Sequence, residues 1–220
     1  MAISKFNYNS FNVTPVAGTA LAFDADADGF STATSTALTH IKTLTASSSA
    51  TLSFVDGSAS VVLDNTYKEY LFTFNNIHGA TDDKKFMFQA NAAGGSGYNE
   101  TITTSNFQNY NREDGGAIGL SYNTGYDNAQ TTDFQEISGP LSNDNDAGFS
   151  GYLHIFNPSD TTFVTHFQAV GNGMEAGTSK VATILYTGGY FNTTSAIDEF
   201  QFKMQSGNID SGDICLYGIS

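Results

Sequence analysis

The sequence predicts an all-β chain, a two-sheet jelly-roll-like β-sandwich over residues 37–220 preceded by an extended N-terminal arm over 1–36. Three observations lead there. Short runs rich in Val, Ile, Phe, Tyr and Thr alternate apolar with polar, the period of a strand with one buried face. These runs recur between Gly, Asn and Asp turns, about a dozen in all, and no window carries the 3.6-residue period of a helix. Several runs are apolar on both faces, which favours stacked sheets over a barrel, and no fixed repeat suggests a propeller or β-helix.

In the first 36 residues Phe6, Tyr8, Phe11, Val13, Val16, Leu21, Phe23 and Phe30 are separated by polar residues and interrupted by Pro15 and Gly18. That much apolar surface is costly in water, so the segment reads either as an extended arm laid along its own domain, a neighbouring subunit or a docking protein, or as an N-terminal strand of the main sheet. Docking contacts are assigned to Phe6, Tyr8, Phe11, Val13 and Phe23. Residues 40–55 follow with Ile41, Leu52 and Phe54 inward, broken by the polar 46–49, and residues 56–59 signal a hairpin into Val61, Val62 and Leu63. Tyr70, Phe72 and Phe74 share one face of the next strand, and Phe86 and Phe88 do so after the turn at Asp82 and Asp83.

Residues 92–97, 106–116 and 122–133 are Gly-, Ser- and Asn-rich and read as long surface loops, with a short strand carrying Ile118, Leu120 and Tyr122 between the last two. Phe134 and Ile137 mark another short strand, and residues 143–146 form an acidic loop. Strong strands resume at 151–156, 163–170 and 181–186, the first turning into the second at Asn157, Pro158, Ser159 and Asp160. Phe200, Phe202 and Met204 alternate in the next strand, and residues 206–212 form a turn plugged by Ile209. The final strand has apolar groups on both faces: Ile214 and Leu216 on one, Cys215, Tyr217 and Ile219 on the other. The second set is assigned to a subunit interface.

Composition excludes some functions. A net charge of −14 repels phosphates, so neither nucleic acid nor an anionic membrane is an expected partner. The single cysteine, Cys215, rules out an internal disulfide framework and suits folding in a reducing cytoplasm. No Gly-x-Ser-x-Gly elbow or phosphate-binding Gly-Lys-Ser/Thr loop occurs, and the paired carboxylates all fall in turns, so no enzymatic activity is expected. His154 and His166 sit on adjacent strands, as metal ligands or as ordinary strand histidines.

Two motifs offer binding chemistry. Asp24, Asp26 and Asp28 precede Gly29 at alternate positions, the opening of a calcium loop to which Phe30 would add a carbonyl. Ser35 occupies the place of the loop's final glutamate, so a solvated acidic turn is the competing reading, and no other cofactor is expected. Tyr98, Phe107, Tyr110 and Tyr126, with Tyr122, stand among polar residues such as Asn109, Asn111 and Asp114. Such aromatics either stack on host-surface glycans or supply contact area to a partner protein.

The stretches SGNIDSGDICLYGIS, GYFNTTSAIDEFQFKMQSGNID, TLTASSSATLSFVDGSASVVLDNTYKEYLFTFNNI and SGYLHIFNPSDTTFVTHF resemble a family of virion structural proteins of marine tailed bacteriophages. The resemblance runs from about His40 onward. It implies a head-decoration or tail-fibre component made in the host cytoplasm and built into the virion, with other virion proteins and copies of itself as partners. A trimer is the arrangement it suggests, and no catalytic residues come with it.

Overall fold

The computed structural model describes residues 20–23, 30–33 and 37–220. The chain divides into two compact units, Met1–Ala37 and Leu38–Ser220. In the first, β1 (Ala20–Phe23) pairs antiparallel with β2 (Phe30–Ala33), Phe23 opposite Phe30. Phe6, Tyr8, Phe11 and Val13, and the candidate calcium ligands Asp24, Asp26 and Asp28, lie outside the described residues.

The second unit is built from two antiparallel sheets. Its strands are β3 (Leu38–Thr45), β4 (Leu52–Val55), β5 (Glu69–Gly79), β6 (Phe86–Ala92), β7 (Ile102–Arg112), β8 (Ile118–Tyr122), β9 (Ala129–Thr131) and β10 (Gln135–Glu136). After them come β11 (Phe149–Phe156), β12 (His166–Glu175), β13 (Val181–Phe191), β14 (Ile197–Met204) and β15 (Ile209–Ile219). A nine-stranded sheet runs β3-β15-β5-β11-β12-β13-β7-β8, with β9 also on β7, and a four-stranded sheet runs β10-β6-β14-β4. This is an all-β sandwich. The order does not establish a jelly roll specifically.

Alternation in the strands supplies the layer between the sheets. Phe72 and Phe74 of β5 meet Phe54, Phe86, Phe200 and Phe202 of the small sheet at ring centroid distances of 5.2 to 5.4 Å. Phe88 meets Phe167 at 5.1 Å, edge to face, so the aromatic layer continues to β12. Tyr70 is buried with these rings, its hydroxyl donating to the Asp64 carbonyl at 2.8 Å. A bulge keeps β5 in phase: Asn76 takes φ 51°, and the extra residue returns Ile77 to the interior opposite Phe149. Gly212 sits against it with φ 113°, where an added Cβ would fall 2.5 Å from the Asn76 carbonyl oxygen.

Beyond the Phe layer the interior turns polar. Thr104, Asn106, Thr183 and Thr187 on the inner face of β7 and β13 are buried, and Thr104 donates to Gln135 at 2.7 Å. On the other side of the small sheet Gln89 is buried, its amide nitrogen donating to the carbonyls of Glu100, Thr132 and Asp133 at 3.0 to 3.1 Å. Connecting segments therefore close over that sheet's outer face, which is why every residue of β6 is buried.

Several expectations need correction. Residues 106–112 belong to β7 and 129–131 to β9, so these stretches are strand where loop was expected. A polar strand lacks the apolar alternation that identifies it, and β7 is held by its neighbours β13 and β8. The turn after Val55 exists, with Ser58 N–H donating to the Val55 carbonyl, but no hairpin follows: Val61 and Leu63 enter the core outside any strand and β4 pairs with β14. Ile209 is no turn plug; it opens β15 and is fully buried.

Candidate association face

Successive side chains of a strand point to opposite faces, so the register of the large sheet fixes which residues look away from the core. One row across it reads Tyr152 of β11, Val170 of β12, Tyr186 of β13, Phe107 of β7 and Tyr122 of β8, each opposite the next. The same row continues through Thr73 of β5 to Cys215 of β15 and Thr43 of β3. A second row holds His40, Tyr217, Leu71, His154 and Gln168. A third holds Leu38, Ile219, Glu69, Phe156, His166 and Tyr190.

Exposed large apolar side chains concentrate on this face, among exposed polar residues such as Ser105, Asn109, Gln168 and Asn172. Among the described residues the exposed large apolar side chains are Leu38, Phe107, Ile118, Leu120, Tyr122, Tyr152 and Phe163, and all but Phe163 stand on it. Ile118 and Leu120, on the edge strand β8, are 75% and 74% exposed. Phe107 and Tyr186 stack across strands at 4.7 Å with planes 8° apart, beside a groove lined by Ser105, Gln168 and Gly188. A second shallow groove lies along Leu71, Thr73, Tyr152 and His154.

Charge is scarce here. No Lys or Arg occupies an outward position, and the acids away from the end of the sheet are Glu69, whose carboxylate lies 2.8 Å from Nε2 of His154, and Asp213, which accepts from Thr45 at 2.6 Å. His40 meets Tyr217 edge-on at 5.4 Å, and His166 lies 5.9 Å from Tyr190. Burial raises the Tyr217 phenol above its ordinary value. A hydrogen bond to the Asp127 carboxylate raises that of Tyr122.

Acidic groups gather instead at one end of the face. A cleft of about 650 Å³ is lined there by Asn76, His78, Glu113, Asp146, Asn172 and Asp210 among others. Beside it Lys180 holds Asp144 at 2.5 Å, and that hydrogen bond keeps the Asp144 carboxyl below its ordinary value. The cleft offers donors and acceptors for a hydroxylated ligand but no Phe or Tyr ring to stack on one. Among the described residues no three His, Cys, Asp or Glu side chains are placed to share a metal ion.

The residues expected to contact a glycan or partner are not brought together. Phe107 points outward from β7, whereas Tyr110 points inward and lies over Gly119. Tyr126 is buried beneath Lys85, whose ammonium stands 4.2 Å from the ring centre, and burial raises its phenol strongly. Tyr98 is half-buried against the small sheet, where burial raises its phenol and Ser53 and Glu199 bond it. Cys215, Tyr217 and Ile219 do share the outward face, Cys215 accepting a hydrogen bond from Thr43 at 3.3 Å.

Tyr152, Val170, Tyr186 and Tyr190 belong to the same surface and were not singled out from the sequence. Several strands are apolar on both faces, and the sequence assigns an interface only to the last of them. No protein-family model matches the chain, and no curated protein or solved structure shows significant similarity to it.

Proposed function

We propose that the chain is a non-enzymatic structural protein of a tailed-bacteriophage particle, a head decoration or fibre component docked by residues 1–36 and displaying the sandwich outward. Its mechanism is assembly. The observation that carries this reading is the outward face of the nine-stranded sheet, aromatic, nearly uncharged and unlike the surface of a chain of net charge −14. The placement on a virion comes from the sequence resemblance. Immunogold labelling of intact phage tests it: gold over head or tail supports the reading, and absence of the protein from disrupted, purified particles overturns it. Deleting residues 1–36 is expected to abolish incorporation, and normal incorporation would remove the docking role.

A second reading is a receptor-binding module for host-surface glycan, favoured by the cleft of Asn76, Asn172, Asp146 and Asp210, which suits sugar hydroxyls. On a glycan array, saturable binding lost in Asn172→Ala supports that reading. Calcium bound through Asp24, Asp26 and Asp28 would belong to it, and calorimetric titration with Ca²⁺ reads this directly.

A further inference from the structure

We infer that the outward face of the nine-stranded sheet is covered by the same face of a second copy of this chain, as a two-fold pair. This rests on the assembly reading and names its partner. Three features select the occupant.

The first is charge. Copies carrying a net charge of −14 repel wherever their ordinary surfaces meet, and the repulsion is least where charge is missing. The middle of this face holds Tyr152, Val170, Tyr186 and Phe107, while Asp146, Asp210 and Glu113 stand at the rim in the cleft. An uncharged aromatic centre with a polar rim is the anatomy of a protein–protein interface.

The second feature is area. Eight strands at about 4.8 Å spacing span about 34 Å, and strand lengths of about 27 Å give about 900 Å² of face. A stable pair needs about 800 Å² from each partner, so one face is enough. The third is self-complementarity. A broad, sparsely charged sheet surface, whose Glu69 is paired with His154 and whose Asp213 accepts from Thr45, can pack on its own copy as sheets pack in a sandwich, and one patch meeting itself requires a two-fold axis. That geometry gives a pair in place of the trimer the resemblance suggested.

Sedimentation equilibrium of the full chain across a concentration series tests the pairing. The expected mass is twice the 23.4 kDa of one chain, falling to 23.4 kDa in Val170→Lys with unchanged far-ultraviolet circular dichroism. Leu120→Ser, at an exposed edge position, guards against a folding defect and is expected to weaken the pair about tenfold. Gln205→Lys, in a turn away from the face, should leave the mass unchanged. A monomer at every concentration, a mass of three chains, or a pair indifferent to both Val170→Lys and Leu120→Ser overturns the inference. If the chain is monomeric, tyrosine labelling of Tyr152 and Tyr186 identifies the alternative occupant. Protection assigns the face to the chain's own residues 1–37, and reactivity leaves it to a different protein; both overturn the pairing. Neither touches the virion placement, which immunogold decides independently.

Discussion

The two faces of the nine-stranded sheet come from the same strands and differ in kind. In β13 Leu185 is buried and its neighbour Tyr186 stands outward; in β5 Phe72 and Phe74 enter the core while Leu71 and Thr73 do not. The inner face interlocks. Phe202 of the small sheet lies within 6.3 Å of five other rings, mostly edge to face. The outer face carries a few rings among polar side chains, with Phe107 and Tyr186 stacked, and much of its aromatic surface is tyrosine, whose hydroxyl can stay hydrated while the ring offers area. An aromatic surface of this kind can meet a partner without being core.

The largest expected effect lies inside. Phe202→Ala should cost about 3–5 kcal/mol in urea unfolding, since it opens a cavity among rings that cannot all collapse into it. A cost near that of an exposed substitution would mean the inner face is no more interlocked than the outer. Gly212→Ala should cost about 1–3 kcal/mol, because its positive φ and the nearby Asn76 carbonyl leave no room for a Cβ. Unchanged stability would show that the β5–β15 bulge relaxes.

On the outer face, a double-mutant cycle of Phe107→Ala and Tyr186→Ala should give a coupling of about 0.5–1.5 kcal/mol for the stacked pair. Leu120→Ser should change the unfolding free energy of the isolated chain by no more than about 0.5 kcal/mol, however strongly it affects association.

Glu175 tests the boundary between core and surface by pH. Burial raises its carboxyl above the ordinary 4.5, so the folded chain holds the proton more tightly than the unfolded one. Its contribution to stability is therefore greatest below pH 4.5 and declines as pH rises through the raised value. Glu175→Gln should remove that decline, seen as a flatter melting temperature between pH 4 and 7 relative to the parent. An unaltered profile would show that another group sets it.

Strands that alternate were legible from sequence. Phe200, Phe202 and Met204 enter the core as the pattern requires, and Tyr70, Phe72 and Phe74 do the same. What failed was pairing and polarity. Nothing local tells Phe54 that its partner is Phe200, nearly the length of the domain away, and the local sequence points instead to a hairpin with Val61. β7 looks like loop because its inward residues Thr104 and Asn106 are polar and find partners in Gln135 and Thr187, contacts made only by folding. The association face was half legible: Cys215, Tyr217 and Ile219 showed one strand's share, while the row from Tyr152 to Tyr122 needs the register. Tyr98, Tyr110 and Tyr126 look alike in sequence, but each is covered by a different part of the fold.

The strand order also sets a timetable. β15 lies between β3 and β5, and β4 finds its partner only in β14, so both sheets wait for strands translated after all their neighbours. Until the ribosome has delivered them, β3 has no neighbour and Phe54 no partner strand. Such long-range closure is slow, and apolar strands stand open meanwhile, so chaperone dependence and misassembly at high expression are the hazards built into this topology.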